Sequence, residues 1–305
     1  MVLLIKCLAW FFASMPLGMA LAFGRGLGTL TGSILRLRRK VVVSQLMACF
    51  PEKPRSEIES IASRVYRNQG MNLVEQLRIL VIGLDDVEGR VEIRGQENVE
   101  KILHADTSAL ILMAHIGNWE IAGYTTRISN RVTTVVVKLM RNPKVQEYLV
   151  KTREKMNVRI IPHKGGFRDC LRAVDAGDVL TIILDQNRPT HEGVFVDFFG
   201  RPACTSPGLA VISYKTKLPV YPVFFTRQPN HRDHIMHVLP PIEPPPGRKM
   251  DVTTAYTEKY TKVIEDMIRQ YPDQWLWMHK RWKTQMPEEQ EPARAEVEDE
   301  AAGTS

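Results

Sequence analysis

The sequence predicts an α/β fold with a mostly parallel central sheet covered by helices. Two observations carry that prediction. From Ala109 onward, short apolar runs rich in β-branched residues alternate with stretches of helical periodicity. Alternation of this kind argues for parallel strands joined by covering helices. The 305 residues are also 44% hydrophobic and 25% charged. That composition belongs to a folded chain, long enough for one large domain with additions or two small ones.

Between Met1 and Gly24 the only charge is Lys6, and Pro16 and Gly18 interrupt the run. The stretch is long enough to cross a bilayer, for which about 20 residues are needed. The cations Arg36, Arg38, Arg39 and Lys40 follow it and would sit on the cytoplasmic side. A cleaved signal peptide fits less well, because no small-residue cleavage site follows. A kinked helix lying in the interface is the competing reading. The expected organisation is a membrane anchor with its basic flank over 1–40, a globular domain over 41–286 and an acidic, disordered tail over 287–305.

After the break at Phe50-Pro51-Glu52-Lys53-Pro54, Ser56 and Glu59 have the spacing of a capping box. Apolar residues from Ile58 to Leu80 then recur at helical intervals, with Gly70 as a point where the helix kinks or divides. Val91–Arg94 reads as a strand and Glu97–Leu103 as a short helix. Strands are expected at Ala109–Ala114, Val132–Val137, Val158–Ile161, Val179–Leu184 and Val220–Thr226. Helices are expected near Asn118–Arg127, Pro143–Lys155, Phe167–Ala176, Pro207–Lys215 and Val252–Gln270. No internal repeat is present.

The net charge is +7. The tail from Pro287 holds seven acids and one arginine, a net of −6. The body therefore carries +13, the difference between +7 and −6, and favours anionic partners: a phosphorylated lipid, a membrane surface, nucleic acid or an acidic carrier protein. Cys7, Cys49, Cys170 and Cys204 are scattered without a C-x-x-C, so neither a zinc site nor a disulfide framework is expected. The histidines at 163, 191, 231, 234 and 237 have no ligand spacing, and no metal is expected.

Ala114-His115-Ile116-Gly117-Asn118-Trp119-Glu120 joins the apolar run Ala109–Met113 to the next helix. Gly117 permits a sharp turn, and Asn118 is a reasonable N-cap. With His115 at the strand end and Glu120 in the first helical turn, the two can face each other as a base and its orienting carboxylate, an arrangement that activates a hydroxyl. Asp185 ends another apolar strand, and ligands of open α/β sheets sit at such ends. Asp197 is a second candidate acid, read as an outward-facing strand residue. Trp275, Trp277 and Trp282 with His279, Lys280, Arg281 and Lys283 form an aromatic and basic cluster. It suits a lipid headgroup interface or stacked bases, and core packing is the plain alternative.

Several blocks stand in one order: Cys49-Phe50-Pro51-Glu52, His115-x4-Glu120, Arg141-Asn142-Pro143, Asp185-Gln186-Asn187-Arg188, the run Gly193 to Ala203, and Gln274 to Lys283. Together they resemble the late (secondary) lipid A acyltransferases, the lauroyl/myristoyl branch of the glycerolipid and lysophospholipid acyltransferases. The resemblance covers nearly the whole chain to about Lys283. It implies a glycerolipid acyltransferase-like fold and an acyltransferase domain over 41–286. It implies transfer of an acyl group from an acyl carrier protein thioester, or from coenzyme A, to a hydroxyl of a membrane glycolipid. In the parent family that hydroxyl is on the 3-hydroxyacyl chain of a lipid A precursor.

His115 would be the general base and Glu120 would fix its tautomer and stabilise the imidazolium. Backbone N–H groups around Gly117 and Asn118, or Arg141, would stabilise the oxyanion. Arg141, Asp185 and Arg188 match substrate-binding positions. Where relatives often show Asp-x-Asp, this chain has Asp185-Gln186-Asn187. No cofactor and no nucleic acid are expected, and the enzyme would work on the cytoplasmic side of the inner membrane. The alternatives are another acceptor (a lysophospholipid, a mannosylated phosphoinositide or an ornithine-type lipid) or a catalytically silent lipid-binding membrane protein.

Overall fold

The computed structural model describes residues 1–103, 108–246 and 252–287. The acidic tail lies outside the described residues from 288 onward. The N-terminal part is helical: α1 (Val2–Ser14), α2 (Leu17–Thr29), a π-helical turn (Leu30–Ile34), α3 (Arg39–Cys49) and α4 (Arg55–Ile82). Then come β1 (Val91–Arg94), α5 (Gln96–Leu103), β2 (Ala109–Met113), a 3₁₀ turn (Trp119–Gly123), α6 (Tyr124–Ser129), β3 (Thr133–Val137) and α7 (Pro143–Glu154). The next are β4 (Val158–Pro162), α8 (Phe167–Asp175), β5 (Val179–Ile183), β6 (Val194–Asp197) and β7 (Pro202–Thr205). The last are α9 (Gly208–Thr216), β8 (Val220–Arg227), β9 (His234–Val238) and α10 (Val252–Gln270).

Seven strands form one sheet in the order β1-β9-β8-β2-β5-β3-β4. Every neighbouring pair is parallel except β8–β9. A separate antiparallel pair, β6–β7, makes a second small sheet. The expected α/β architecture with a mostly parallel sheet is therefore present. Strand β2 lies inside the sheet, and its side chains alternate between two cores. Leu110 and Leu112 join one with Ile58, Phe224 and Ile264. Ala109, Ile111 and Met113 join the other with Val223 and Phe225. A strand covered on both faces needs an unbroken apolar run, as this one has.

The register of β2 with β5 sets Met113 beside Ile183. Two residues beyond those partners come His115 and Asp185. The sheet thus delivers both side chains to one place at its carboxyl edge.

The N-terminal segment departs from the expected anchor helix. It breaks at Met15, whose extended backbone (ψ 147°) precedes Pro16. Proline disfavours helical geometry in the residue before it. Each resulting helix has 13 residues, about 20 Å of rise against a bilayer core of about 30 Å. No helix among the described residues is long and apolar enough to cross a membrane. Helix α2 instead packs on α4. A Cβ at Gly24 would lie 2.7 Å from the Gly70 carbonyl oxygen, and one at Gly70 would lie 2.1 Å from that of Gly24. Gly70 neither divides nor ends α4, which runs through it. It lets two backbones touch.

The expected capping box is not used. Helix α4 starts at Arg55 after Pro54, with no side-chain cap. Glu59 accepts from Arg39 at 2.7 Å instead.

Candidate active site

His115 is held from four sides. Its backbone N–H donates to Asp185 Oδ2 at 3.0 Å, and its carbonyl accepts the Leu276 N–H at 3.1 Å. Ring Nδ1 meets Asp185 Oδ1 at 2.7 Å. The Trp119 ring packs edge-on against the imidazole, centroids 4.9 Å apart. Nδ1 therefore carries the hydrogen toward the carboxylate, and the Nε2 lone pair faces the other way. There it lies 3.1 Å from Gln186 Nε2, so the amide N–H donates to it.

The carboxylate behind the imidazole is Asp185, not Glu120. Asp185 is buried, 3% exposed, and both of its oxygens are engaged within the protein. Its Oδ2 also accepts the Trp275 indole N–H at 2.6 Å. Burial pushes the Asp185 carboxyl up. The His115 charge and the hydrogen bonds from His115 and Trp275 outweigh burial and hold the carboxyl down at about 2. For His115, burial pulls the imidazole down, and the Asp185 charge and hydrogen bond, with a smaller contribution from Glu120, raise it net above its ordinary value. Glu120 Oε2 accepts from Arg153 at 2.8 Å. It sits in the 3₁₀ turn as expected of a first helical turn, but its hydrogen bond goes to α7.

The turn after His115 is braced by a buried ionic network. Gly117 has φ +57°, and a Cβ there would lie 1.8 Å from the Phe225 carbonyl oxygen. Its N–H donates to the Gln274 carbonyl at 2.9 Å, and its carbonyl accepts from Asn72 at 2.6 Å. The Gly117 N–H, expected as an oxyanion donor, is thus already taken. Asn118 is fully buried and makes no cap to the 3₁₀ turn. Its amide donates to Glu75 Oε2 at 2.9 Å. Glu75, on α4, also accepts from Arg227 at 2.5 and 3.1 Å and meets His234 Nε2 at 3.0 Å. Burial pushes the Glu75 carboxyl up, yet the Arg227 and His234 charges hold it well below the carboxylate range. Gln274 closes the circuit by exchanging two hydrogen bonds with the Arg227 backbone, at 2.7 and 2.9 Å.

The remaining expected residues make no hydrogen bond or ion pair with the imidazole among the described residues. Arg141 is exposed in the bend between β3 and α7, without a hydrogen-bond or ion-pair partner among the described residues. The neighbouring Asn142 caps α7, its side chain accepting the Val145 N–H at 3.2 Å, with Pro143 at the first helical position. Arg188 is paired with Glu192 at 3.7 Å, and its backbone N–H is bonded to Cys204. Asp197 ends β6 exposed and accepts the Gly200 N–H at 3.2 Å.

The aromatic cluster belongs to the interior. Trp275, Trp277 and Trp282 are 1%, 0% and 8% exposed, so they serve neither a headgroup interface nor base stacking. Arg281 is fully buried and donates to the Cys204 carbonyl and the Thr205 hydroxyl. Burial draws its guanidinium down to about 10. Of this cluster only Lys280 and Lys283 are exposed.

Sequence reasoning missed the Glu75–Arg227 pair, gave Gln186 no role beside the imidazole, and placed Trp275 and His279 in a surface cluster rather than against Asp185 and Asn187. His279 Nε2 accepts the Asn187 N–H at 3.0 Å, which ties the C-terminal segment to the loop after β5. A usable signal was the polar content of α4. Asn68, Asn72, Glu75 and Arg78 recur at helical spacing and are all buried, and buried charge requires partners.

A family model described as bacterial lipid A biosynthesis acyltransferase matches residues 1–284. Lipid A biosynthesis acyltransferase 2 of Shigella flexneri is 23% identical over 275 residues, covering 87% of this chain and 84% of that protein. Lipid A biosynthesis lauroyltransferase of Escherichia coli is 23% identical over 276 residues, 90% and 89% of the two chains. Phosphatidylinositol mannoside acyltransferase of Mycolicibacterium smegmatis is 25% identical over 196 residues, 61% and 60% of the two.

Proposed function

The chain belongs to the bacterial lipid A biosynthesis acyltransferase family, and on that premise we propose that it moves a fatty acyl group from an acyl carrier protein thioester to a hydroxyl of a lipid A precursor or related glycolipid. The observation that carries the mechanism is the 2.7 Å contact of His115 Nδ1 with the buried Asp185 carboxylate. It leaves Nε2 as the basic atom. An alcohol is a weak nucleophile, so Nε2 removes its proton as the oxygen attacks the thioester carbonyl. The tetrahedral intermediate collapses, the carbon–sulfur bond breaks, and the departing thiolate recovers the proton from Nε2. Asp185 stabilises the imidazolium between these steps, and Trp275 and the His115 backbone N–H keep Asp185 aimed. Gln186 occupies the position from which the hydroxyl displaces it.

Direct transfer is preferred to an acyl-enzyme. Burial raises the Cys49 thiol to about 12 and the Cys170 thiol to about 11, so neither supplies a thiolate. With the Gly117 N–H taken, the unpartnered Arg141 is the cation available for the developing oxyanion or an acceptor phosphate.

The enzyme would work at the cytoplasmic face of the inner membrane. Leu3, Leu4, Leu8, Trp10, Phe11 and Phe23 on α1 and α2 are exposed, which suits helices lying in the interface. The donor would dock on the basic body.

Purified protein with acyl carrier protein thioester and a lipid A precursor, read by mass spectrometry of the lipid, tests this reading. His115→Ala should reduce turnover by about 10²–10⁴-fold, the size of a general-base contribution. A folded His115→Ala protein retaining a tenth of wild-type turnover would remove the base assignment. Absence of any acylated lipid with the intact enzyme would redirect the acceptor, with mannosylated phosphoinositide the next to try.

A further inference from the structure

A cavity of about 850 Å³ lies where the turn after α2 meets α3, and neither His115 nor Asp185 lines it. Its charged lining is Arg36, Arg38, Arg39, Lys40, Arg55 and Glu59, five cations against one carboxylate. Glu59 is already engaged, at 2.7 Å with Arg39 and 3.6 Å with Arg55. The side chains of Arg36 and Lys40 are exposed and have no hydrogen-bond or ion-pair partner among the described residues. Gathering five cations on one wall costs repulsion unless an anion neutralises it.

The backbone here is held in an unusual shape. Arg36 and Arg38 both have positive φ, 50° and 55°. Such geometry is unfavourable for an arginine and normally falls to glycine or asparagine. Strain of this kind persists only where surrounding structure holds it, and it clusters at ligand sites. Arg38 donates to the Met278 carbonyl at 3.0 Å, and the Tyr66 hydroxyl donates to the Leu37 carbonyl. The turn is therefore pinned to α4 and to the segment carrying His279.

The rim differs in character from the wall. Ile34, Leu35, Leu37 and Met47 are 69%, 56%, 54% and 42% exposed, interleaved in sequence with the cations. No aromatic side chain lines the cavity, so a nucleic acid would find charge but no stacking platform. Cations set among outward-facing aliphatic side chains match a phosphate group at the boundary between headgroups and acyl chains.

We propose that this cavity is a binding site for the phosphate headgroup of an anionic membrane lipid. It does not include the His115–Asp185 dyad, and it holds the enzyme against the bilayer. The proposal does not require the acyl-transfer reaction, and its test is a binding measurement.

The test is flotation of the full-length protein with phosphatidylcholine vesicles, with and without a fifth of phosphatidylglycerol. Wild type should partition strongly to the anionic vesicles only. Arg36→Glu/Lys40→Glu reverses two exposed, unpartnered charges and should weaken that partitioning by about tenfold or more. Arg168→Glu/Arg172→Glu, on α8, which packs on β5 and α9, changes net charge equally and should weaken it less than about twofold. Equal loss in both variants would show diffuse attraction to the basic body and overturn the site. Unchanged binding of Arg36→Glu/Lys40→Glu would also overturn it. Binding of inorganic phosphate that Arg36→Glu/Lys40→Glu abolishes, with vesicle partitioning unchanged in that variant, would assign the cavity to a free phosphate, against a lipid. If the cavity variant instead binds vesicles normally but loses affinity for the carrier protein, the cavity serves the donor and the lipid assignment fails.

Discussion

His115 and Asp185 each favour the charged form of the other, and this sets the pH behaviour of the reaction. The Asp185 carboxylate raises the imidazole above its ordinary value. A raised value means more imidazolium at neutral pH, and only the neutral form takes a proton. The rising limb of the pH–rate profile should therefore lie above about 6.5, the ordinary value for histidine. Asp185→Asn should move that limb to lower pH while reducing turnover strongly, because the imidazolium loses its counter-charge. Steady-state kinetics from pH 5 to 9 on both proteins checks this. A limb that stays in place in Asp185→Asn would mean that another group titrates. Glu120→Ala should have a smaller effect than Asp185→Asn, since its hydrogen bond serves Arg153.

At the scale of elements, the active turn is a junction of α4, β2, β8, β9 and the segment after α10. Glu75 is the point at which they meet, since it receives Arg227, His234 and Asn118 together. Removing one member of a buried ion pair leaves its partner uncompensated, at a cost of about 3–5 kcal/mol. Glu75→Gln should lower stability by that order in urea unfolding. Glu75→Asp, which keeps the charge but shortens the reach, should lower it less. Gly117→Ala meets two obstacles, the left-handed backbone and the Phe225 carbonyl oxygen at 1.8 Å. It should lower turnover even where the protein still folds, because relief of that clash must move His115. Circular dichroism beside kinetics separates the two effects.

For the whole molecule, acid sensitivity follows from the two buried carboxylates. Glu75 and Asp185 both titrate below their ordinary values in the folded chain. Groups depressed by folding stabilise above the unfolded value, about 4, and that contribution disappears as pH falls toward the folded value. Stability should hold from pH 7 to about 5 and fall steeply between about 4 and 2. His115, raised by folding, contributes in the opposite sense: its share is present below about 6.5 and fades as pH climbs through the folded value. Urea midpoints across pH 2–9 check both signs. Donor docking on a +13 body should weaken with salt, since exposed charges are screened beyond about 8 Å at physiological strength. The donor KM should rise accordingly, with turnover at saturation little changed.

The sequence by itself determined the fold class and most element positions, because hydrophobic period and β-branched runs are local properties of the chain. Strand β2 begins at Ala109 and α10 spans Val252–Gln270, both as the pattern predicts. It also identified His115 and Asp185 as strand-end residues. Which acid meets the imidazole was decided by tertiary structure. Glu120 is five residues away in the chain, and Asp185 is seventy. Asp185 arrives because β5, not β3, lies beside β2, and strand order leaves no mark in local periodicity. The same holds for the tryptophans, whose residue type suits an interface as well as a core. They are interior because the segment after α10 folds back over the end of the sheet, pairing Ile116 with Trp275. Burial and partnership are properties of what surrounds a residue, and for these residues the surroundings come from distant parts of the chain.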